Sequence, residues 1–319
     1  MPEGHSVHRL ARQFNDVFGG ALLAVSSPQG KFTAGAARVD GQVLELAEAH
    51  GKQLFMFFRH ELVMRVHLGL YGAWDFGGDA TFAGASSIGA PRRIGEQELA
   101  PDDGGTPYSG PPEPKGAVRA RLVSAHGWAD LRGPAACEVL TVAGAATVRA
   151  KLGPDPLLNR PGDRAEFVRR LCKSATPIAL QLMKQEVLAG VGNVYRAEVL
   201  FRRGLDPRLP GTSLGAGEAG ELWDDIALVM ADGVSDGRII TTELADRPSG
   251  RGAGAGHALG GGDGQGDVPA STINKDVPVA DAHYVYKRNG LPCRHCGTAV
   301  AMAELGGRKL YWCPGCQGG

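Results

Sequence analysis

Cys293-Arg294-His295-Cys296 and Cys313-Pro314-Gly315-Cys316 stand near the end of the sequence, sixteen residues apart. Two residues between paired cysteines let both thiolates reach one tetrahedral metal from a single turn. The segment between the pairs is long enough for a hairpin that returns the second pair to the first. Four of the six cysteines lie within the last 27 residues. The spacing therefore predicts a zinc finger holding one structural zinc ion on Cys293, Cys296, Cys313 and Cys316, with no open coordination position. His295 is an alternative ligand, but Cys296 keeps the better spacing. Between the pairs, Gly306-Gly307-Arg308-Lys309-Leu310-Tyr311-Trp312 puts Arg308 on the hairpin turn, either as a solvated tip or as a cation held in place by the metal. Cys137 and Cys172 stand alone and read as small buried residues.

Upstream of the cysteines the pattern is helical. Asp163 is a candidate cap for a helix carrying Phe167, Val168 and Leu171. Thr176-Pro177 reads as an N-cap with proline at the first helical position, opening a helix with Ile178, Leu182 and Met183. Leu188-Ala189-Gly190-Val191-Gly192-Asn193 reads as a tight turn, because two glycines weaken a helix. Asn193 is placed to cap the next helix, which carries Val194, Ala197, Val199, Leu200 and Phe201. Gly217–Gly233 is a further helix. Residues 246–282 lose all pattern, and nine of the nineteen residues from Ser249 to Asp267 are glycine, so they read as a flexible insertion. Order is expected again from His283.

Residues 1–150 read differently. One amphipathic helix runs from Ser6 to Phe18. Short apolar runs follow at Ala21–Val25, Val43–Leu46, Leu54–Phe58, Leu62–Val66 and Leu122–Ser124, split by turn signals such as Asp40-Gly41 and Arg59-His60-Glu61. Strands at this spacing suggest a β-sandwich. Residues 77–117 carry little periodicity and read as a long mobile loop. Lys151–Pro161, with three prolines, reads as a domain linker. The fold class is α+β and multidomain: 1–150 a β-sandwich, 151–245 helical, 246–282 the glycine-rich insertion and 283–319 the finger.

Across 319 residues, 34 basic side chains balance 34 acidic ones, which excludes a uniformly basic nucleic-acid binder. The balance is uneven along the chain. Residues 160–210 carry 10 basic and 5 acidic side chains, 211–282 carry 4 and 12, and 283–319 carry 5 and 1. Two basic segments thus flank an acidic one. No run of about 18 apolar residues is present to span a membrane. Met1-Pro2-Glu3-Gly4-His5 carries no basic-then-apolar signal, so a cytoplasmic protein is expected.

Pro2 after Met1 is common. Removal of Met1 would expose a secondary amine whose reference pKa of about 7.7–8 leaves it substantially unprotonated near neutrality. Such an amine is an activated nucleophile toward a sugar or carbonyl carbon, with Glu3 beside it to move protons. By themselves these two residues do not define a reaction.

Several motifs occur together and in order: Met1-Pro2-Glu3-Gly4-His5, Gly51-Lys52, His67-Leu68-Gly69-Leu70-Tyr71-Gly72, Leu152-Gly153-Pro154-Asp155-Pro156-Leu157, Gly190-Val191-Gly192-Asn193-Val194-Tyr195 and the four-cysteine finger. With them the chain resembles the formamidopyrimidine-DNA glycosylase / endonuclease VIII family over all but residues 77–117 and 246–282. Gly4 and the ending Tyr311-Trp312-Cys313-Pro314-Gly315-Cys316 are more like the endonuclease VIII branch. The resemblance implies an N-terminal β-sandwich catalytic domain, a helix–two-turn–helix DNA-binding module and a zinc finger acting as a monomer on damaged double-stranded DNA.

It also implies bifunctional chemistry on oxidised bases, pyrimidines foremost. Processed Pro2 attacks C1′, displaces the base and forms a Schiff base, and β,δ-elimination then cuts the strand. Glu3 matches the acid/base residue and Lys52 the hairpin lysine. The target base must leave the stack. Leu70 and Tyr71 are placed to fill the gap, although ordinary strand packing also accounts for them. Asn193 and Arg308 are the implied phosphate contacts, and Arg132 the implied third gap-filling residue. Three departures bear on base preference and wedging: Arg132 lacks the adjacent phenylalanine, Gly69 replaces a glutamine, and Lys184 stands where an acid is usual. The competing reading is a non-catalytic damaged-DNA or abasic-site binding protein built on the same module and finger. An RNA-binding zinc-ribbon protein is a third.

Overall fold

The computed structural model describes residues 2–90, 110–247 and 277–318. They form two compact units, Met1–Leu152 and Gly153–Gly319.

The first unit contains α1 (Gly4–Phe18), β1 (Leu22–Ser26), α2 (Thr33–Val39), β2 (Gln42–His50), β3 (Gln53–Phe58), β4 (Leu62–His67), β5 (Ala73–Gly78), β6 (Ser87–Gly89), β7 (Val118–Val123), β8 (Gly127–Arg132), β9 (Ala136–Thr141) and α3 (Val142–Ala150). The strands run β6-β5-β8-β7-β1-β2-β3-β4-β9, and every neighbouring pair is antiparallel. The β1–β2 join consists only of Leu22 against Val43 and Leu23 against Gln42. Side chains from both sides of this join, Phe76 and Leu122 on one and Leu44 and Met56 on the other, share one core with α1. The β-sandwich is thus a single ladder folded over its own core.

The apolar stripe of α1 explains its place. Val7, Leu10, Phe14 and Phe18 recur on one helical face and are all buried. The Phe14 ring meets Trp74 edge-on at 4.9 Å. Asn15 fixes the helix against β2, donating to the Ala47 carbonyl at 2.9 Å and accepting the Ala47 N–H at 2.7 Å. Five residues later, Gly20 donates to the Leu44 carbonyl, so α1 runs opposite to β2.

Parts of residues 77–117, expected as a mobile loop, are structured. Gly77 and Gly78 finish β5, and Ser87–Gly89 forms β6, whose Ile88 is buried opposite Trp74. Gln13 pins the approach to β6 through reciprocal bonds to Ala85 at 2.9 and 2.8 Å. One buried isoleucine and a side chain from α1 order a segment that lacks periodicity of its own. The rest of that expectation, residues 91–109, lies outside the described residues.

The second unit contains α4 (Asp163–Cys172), α5 (Ile178–Gln181), α6 (Asn193–Arg202), α7 (Ala216–Asp236), β10 (Ala301–Leu305) and β11 (Arg308–Trp312). Four sequence expectations change here. Gly162, with φ at 91°, precedes α4 in place of Asp163. α5 is a single turn, preceded by Pro177 at its N-cap, and its first N–H groups, those of Ile178 and Ala179, bond the Leu209 and Pro207 carbonyls of a neighbouring segment. Residues 151–161 fold as a packed turn. Asp155 is buried and accepts the Leu157 N–H at 2.9 Å, and Trp223 donates to Asn159 at 3.2 Å. The margins of the 246–282 segment are packed too: Thr241 donates its N–H to the Ala282 carbonyl at 2.9 Å, and Thr242 its hydroxyl to the Asp281 carbonyl at 2.6 Å. The remaining glycine-rich residues, 248–276, lie outside the described residues.

Candidate active site and nucleic-acid interface

Pro2 and Glu3 are buried immediately before α1, with Glu3 at its N-cap position. A carboxylate there sits where the helix dipole favours an anion. From Asn15 back to Gly4 is eleven residues of helix, about 16 Å at 1.5 Å each. From Ala47 forward to His50 is three residues of strand, about 10 Å at roughly 3.3 Å each, and the Gly51-Lys52 turn projects beyond it. Since α1 and β2 run in opposite directions from the Asn15–Ala47 anchor, Pro2 and Glu3 come to the same end of the unit as Lys52 on the β2–β3 turn.

Gln53, next to Lys52, pairs with His67 at the end of β4. Burial, followed by the charges of Lys52 and Arg65, lowers the His67 pKa. The chain then enters the Leu68–Gly72 turn. Gly69 has φ at 68°, and a Cβ there would lie 2.7 Å from the Ala135 Cβ, so glycine is required. The turn presents Leu70 and Tyr71 to solvent, and Tyr71 is 76% exposed. The alternative of strand packing is therefore wrong for Tyr71. Arg132 ends β8, and its guanidinium is ion-paired with buried Asp75 on β5.

His5, on the first turn of α1, is buried and shares a 3.1 Å contact with the Ser6 hydroxyl. Desolvation first, then the Arg9 charge, lowers its pKa to about 3, so the imidazole is neutral at physiological pH. Desolvation also pushes the Cys137 thiol up to about 12, in keeping with an inert, packed cysteine.

In the second unit, Gly190 adopts φ at 97° and Gln185 shapes the turn around it. The Gln185 side chain accepts the Gly190 N–H at 3.0 Å and donates to the Val191 carbonyl at 3.1 Å. Gly192 is the N-cap of α6, and Asn193 is the first helical residue rather than the cap. The Asn193 amide instead donates to the Lys309 carbonyl at 2.9 Å. Arg196, completely buried, donates to Asn193 Oδ1 and, at 3.2 Å, to the same Lys309 carbonyl.

Arg308, exposed, opens β11 opposite Leu305, after the left-handed Gly306 and Gly307. The helices and the finger share a core, in which Ala197 and Phe201 of α6 meet Tyr284, Val300 and Tyr311. Glu198 and Arg196 are the residues that sequence reading passes over. Both look like surface charges on a helix, and both are buried and hydrogen-bonded to backbone and side-chain partners.

The four finger cysteines meet. Cys293 and Cys316 sulfurs are 3.7 Å apart, those of Cys296 and Cys313 are 3.4 Å apart, and all four lie within 4.8 Å of one another. A tetrahedron with zinc–sulfur bonds of about 2.3 Å has edges of about 3.8 Å, so the set fits zinc. Hydrogen bonds from the Thr298 side chain and backbone lower the Cys296 pKa to about 6, while burial raises those of Cys313 and Cys316. The His295 ring turns instead to Asp246, at 3.0 Å, and packs on Phe201, so it is not a ligand.

Three family models match the chain: the formamidopyrimidine-DNA glycosylase N-terminal domain over residues 1–115, the formamidopyrimidine-DNA glycosylase H2TH domain over 152–244, and the zinc finger found in FPG and IleRS over 290–318. Endonuclease 8 1 of Mycobacterium tuberculosis is 40% identical over 317 residues, 99% of this chain and 100% of that protein. Formamidopyrimidine-DNA glycosylase of Laribacter hongkongensis is 28% identical over 88% of this chain and 85% of its own length. Among solved structures, the MutM (FPG) protein of Thermus thermophilus aligns with a TM-score of 0.67 at 26% identity, covering 99% of both chains. The Lactococcus lactis protein bound to DNA containing an abasic site shares the fold, with a TM-score of 0.68 at 17% identity over 99% of this chain and 100% of that one. Among the described residues no helix is long and apolar enough to cross a membrane.

Proposed function

The chain belongs to the formamidopyrimidine-DNA glycosylase / endonuclease VIII family of base-excision-repair DNA glycosylases, and from that premise we propose a bifunctional glycosylase and AP lyase acting through Pro2. Once Met1 is removed, the Pro2 nitrogen attacks C1′ of the extruded nucleotide. The glycosidic bond breaks and its electron pair leaves with the base. The added nitrogen loses its proton, the C1′–O4′ bond breaks with O4′ taking a proton from Glu3, and the resulting iminium at C1′ acidifies the C2′ protons. Loss of one of these protons expels the 3′ phosphate, and a second elimination expels the 5′ phosphate. Glu3 exchanges protons with the opening sugar, and Lys52 stabilises the phosphate that leaves.

The observation that carries this reading is the Asn15–Ala47 anchor, which sets α1 antiparallel to β2 and so supports the start of α1, with Pro2 and Glu3, lying toward the β2–β3 turn that carries Lys52. Leu70 and Tyr71 fill the space left by the base. The exposed ring of Tyr71 provides apolar surface without a structural use in the free protein. Arg132 approaches the gap only by leaving Asp75. In the second unit, Arg308 contacts a phosphate, and the Asn193 amide has a second N–H to offer another. One zinc ion on the four cysteines holds the hairpin that carries Arg308. The substrates are duplexes bearing oxidised bases, pyrimidines foremost.

Single-lesion duplexes test this. The processed protein should release oxidised pyrimidines and leave strands with phosphate at both ends of the gap, and Pro2→Gly should abolish both. Intact strands with every lesion, together with tight binding to an abasic site, would replace this reading with that of a damage-binding protein.

A further inference from the structure

The Lys309 carbonyl, one residue beyond Arg308, accepts two hydrogen bonds from α6: from Asn193 at 2.9 Å and from Arg196 at 3.2 Å. Arg196 also donates to Asn193 Oδ1. Its guanidinium is completely buried, so no ligand reaches it. Burying that charge has a large desolvation cost, and a hydrocarbon of the same shape would fill the space more cheaply. What arginine adds is a planar Nη2 amino group, whose two fixed N–H directions bond a side chain and a main-chain carbonyl at once. Leu310, Leu305 and Trp312 pack the body of the hairpin on the helical core, but its tip turns through left-handed Gly306 and Gly307, with Leu180 within 2.6 Å of where a Gly306 Cβ would stand.

We propose that Arg196 is a positioning residue for DNA binding: it locks the Lys309 carbonyl to the first turn of α6, fixing Arg308 for its phosphate. This rests on the reading of Arg308 as a phosphate contact. Arg196 touches no DNA, and its effect passes through Arg308. Loss of the lock lets the glycine tip swing, and Arg308 then spends its binding on ordering itself.

The test is a double-mutant cycle on lesion duplex, with zinc content and thermal midpoint measured for each variant. Arg308→Ala alone should weaken binding about tenfold, as expected for a charge-assisted contact, and reduce the slope of log affinity against log salt by about one. Arg196→Met should do nearly the same with zinc retained. Arg308→Ala added to Arg196→Met should then cost almost nothing more. Arg196→Lys keeps the charge but not the fixed planar N–H pair, and should fall between wild type and Arg196→Met; it serves as the test if Arg196→Met does not fold. Multiplicative losses, or full wild-type binding and salt slope in Arg196→Lys, would overturn the proposal and leave Arg308 as a phosphate contact. No effect of Arg308→Ala in the wild-type background would remove that contact, and the proposal with it.

Discussion

Glu198 accepts the backbone N–H of Val285 at 2.9 Å. The same oxygen takes the Tyr286 N–H at 2.7 Å, and its partner oxygen takes the Tyr284 N–H at 2.7 Å and the Thr241 hydroxyl. One buried carboxylate on α6 thereby gathers three consecutive amides of the chain that leads into the finger, and secures the return from the glycine-rich segment.

Glu198→Ala should cost about 3 kcal/mol or more, since it strips the carboxylate from three backbone N–H groups, two of them on buried residues. Glu198→Gln, which keeps the shape and one acceptor, should cost less. Hydrogen exchange is the appropriate measurement, because a chain of two units need not unfold in one step. Protection at Tyr284, Val285 and Tyr286 should fall first.

Chelating the metal should loosen more than the finger. Ala197 and Phe201 of α6 share a core with Tyr284, Val300 and Tyr311, so exchange should rise over residues 290–318 and in the second half of α6. The strands of the first unit should keep their protection, and DNA affinity should drop with the loss of Arg308's position.

The first unit should lose stability in mild acid through His5. Its folded pKa of about 3 lies below the ordinary 6.5. Between these values the unfolded chain binds a proton that the folded chain does not, so stability falls as pH drops from about 6.5 toward 3 and levels below it. At pH 5 this amounts to about 2 kcal/mol. His5→Gln should show a correspondingly shallower decline between pH 7 and pH 5 in denaturant titrations; an unchanged decline would show that His5 titrates normally.

Tyr71→Ala should leave the unfolding midpoint almost unchanged, because the ring is exposed, while lowering base release at least about tenfold. Gly69→Ala should do both kinds of damage. Its positive φ and the 2.7 Å approach to Ala135 destabilise the turn, by about 1 kcal/mol or more, and displace Leu70 and Tyr71 as well.

What the sequence discloses follows from how local each signal is. The finger is legible because metal geometry constrains cysteines three positions apart, and α1 because its stripe recurs every three to four residues. β5 and β8 are not legible. Asp75 and Asp130 interrupt the apolar pattern, and only the fold reveals that they are paired with Arg132 and Arg121. α3 hides in an alanine- and glycine-rich run, and shows itself only by covering Phe55 and Val63 with Ala145. Asn193 reads as a cap by residue type, whereas its partner is a carbonyl 116 positions away. Catalytic candidates are visible as motifs, but the opposite runs of α1 and β2, which direct the start of α1 toward the β2–β3 turn, are a property of the folded unit.

The central claim is that the Pro2 nitrogen becomes covalently joined to the damaged nucleotide. Borohydride reduction during reaction with an abasic-site duplex, followed by digestion and mass measurement of the N-terminal peptide, reads this directly. The account predicts one reduced adduct on the peptide beginning at Pro2, absent from Pro2→Gly and from protein that retains Met1. An adduct on a lysine, or no adduct while the strand is still cut, would contradict it.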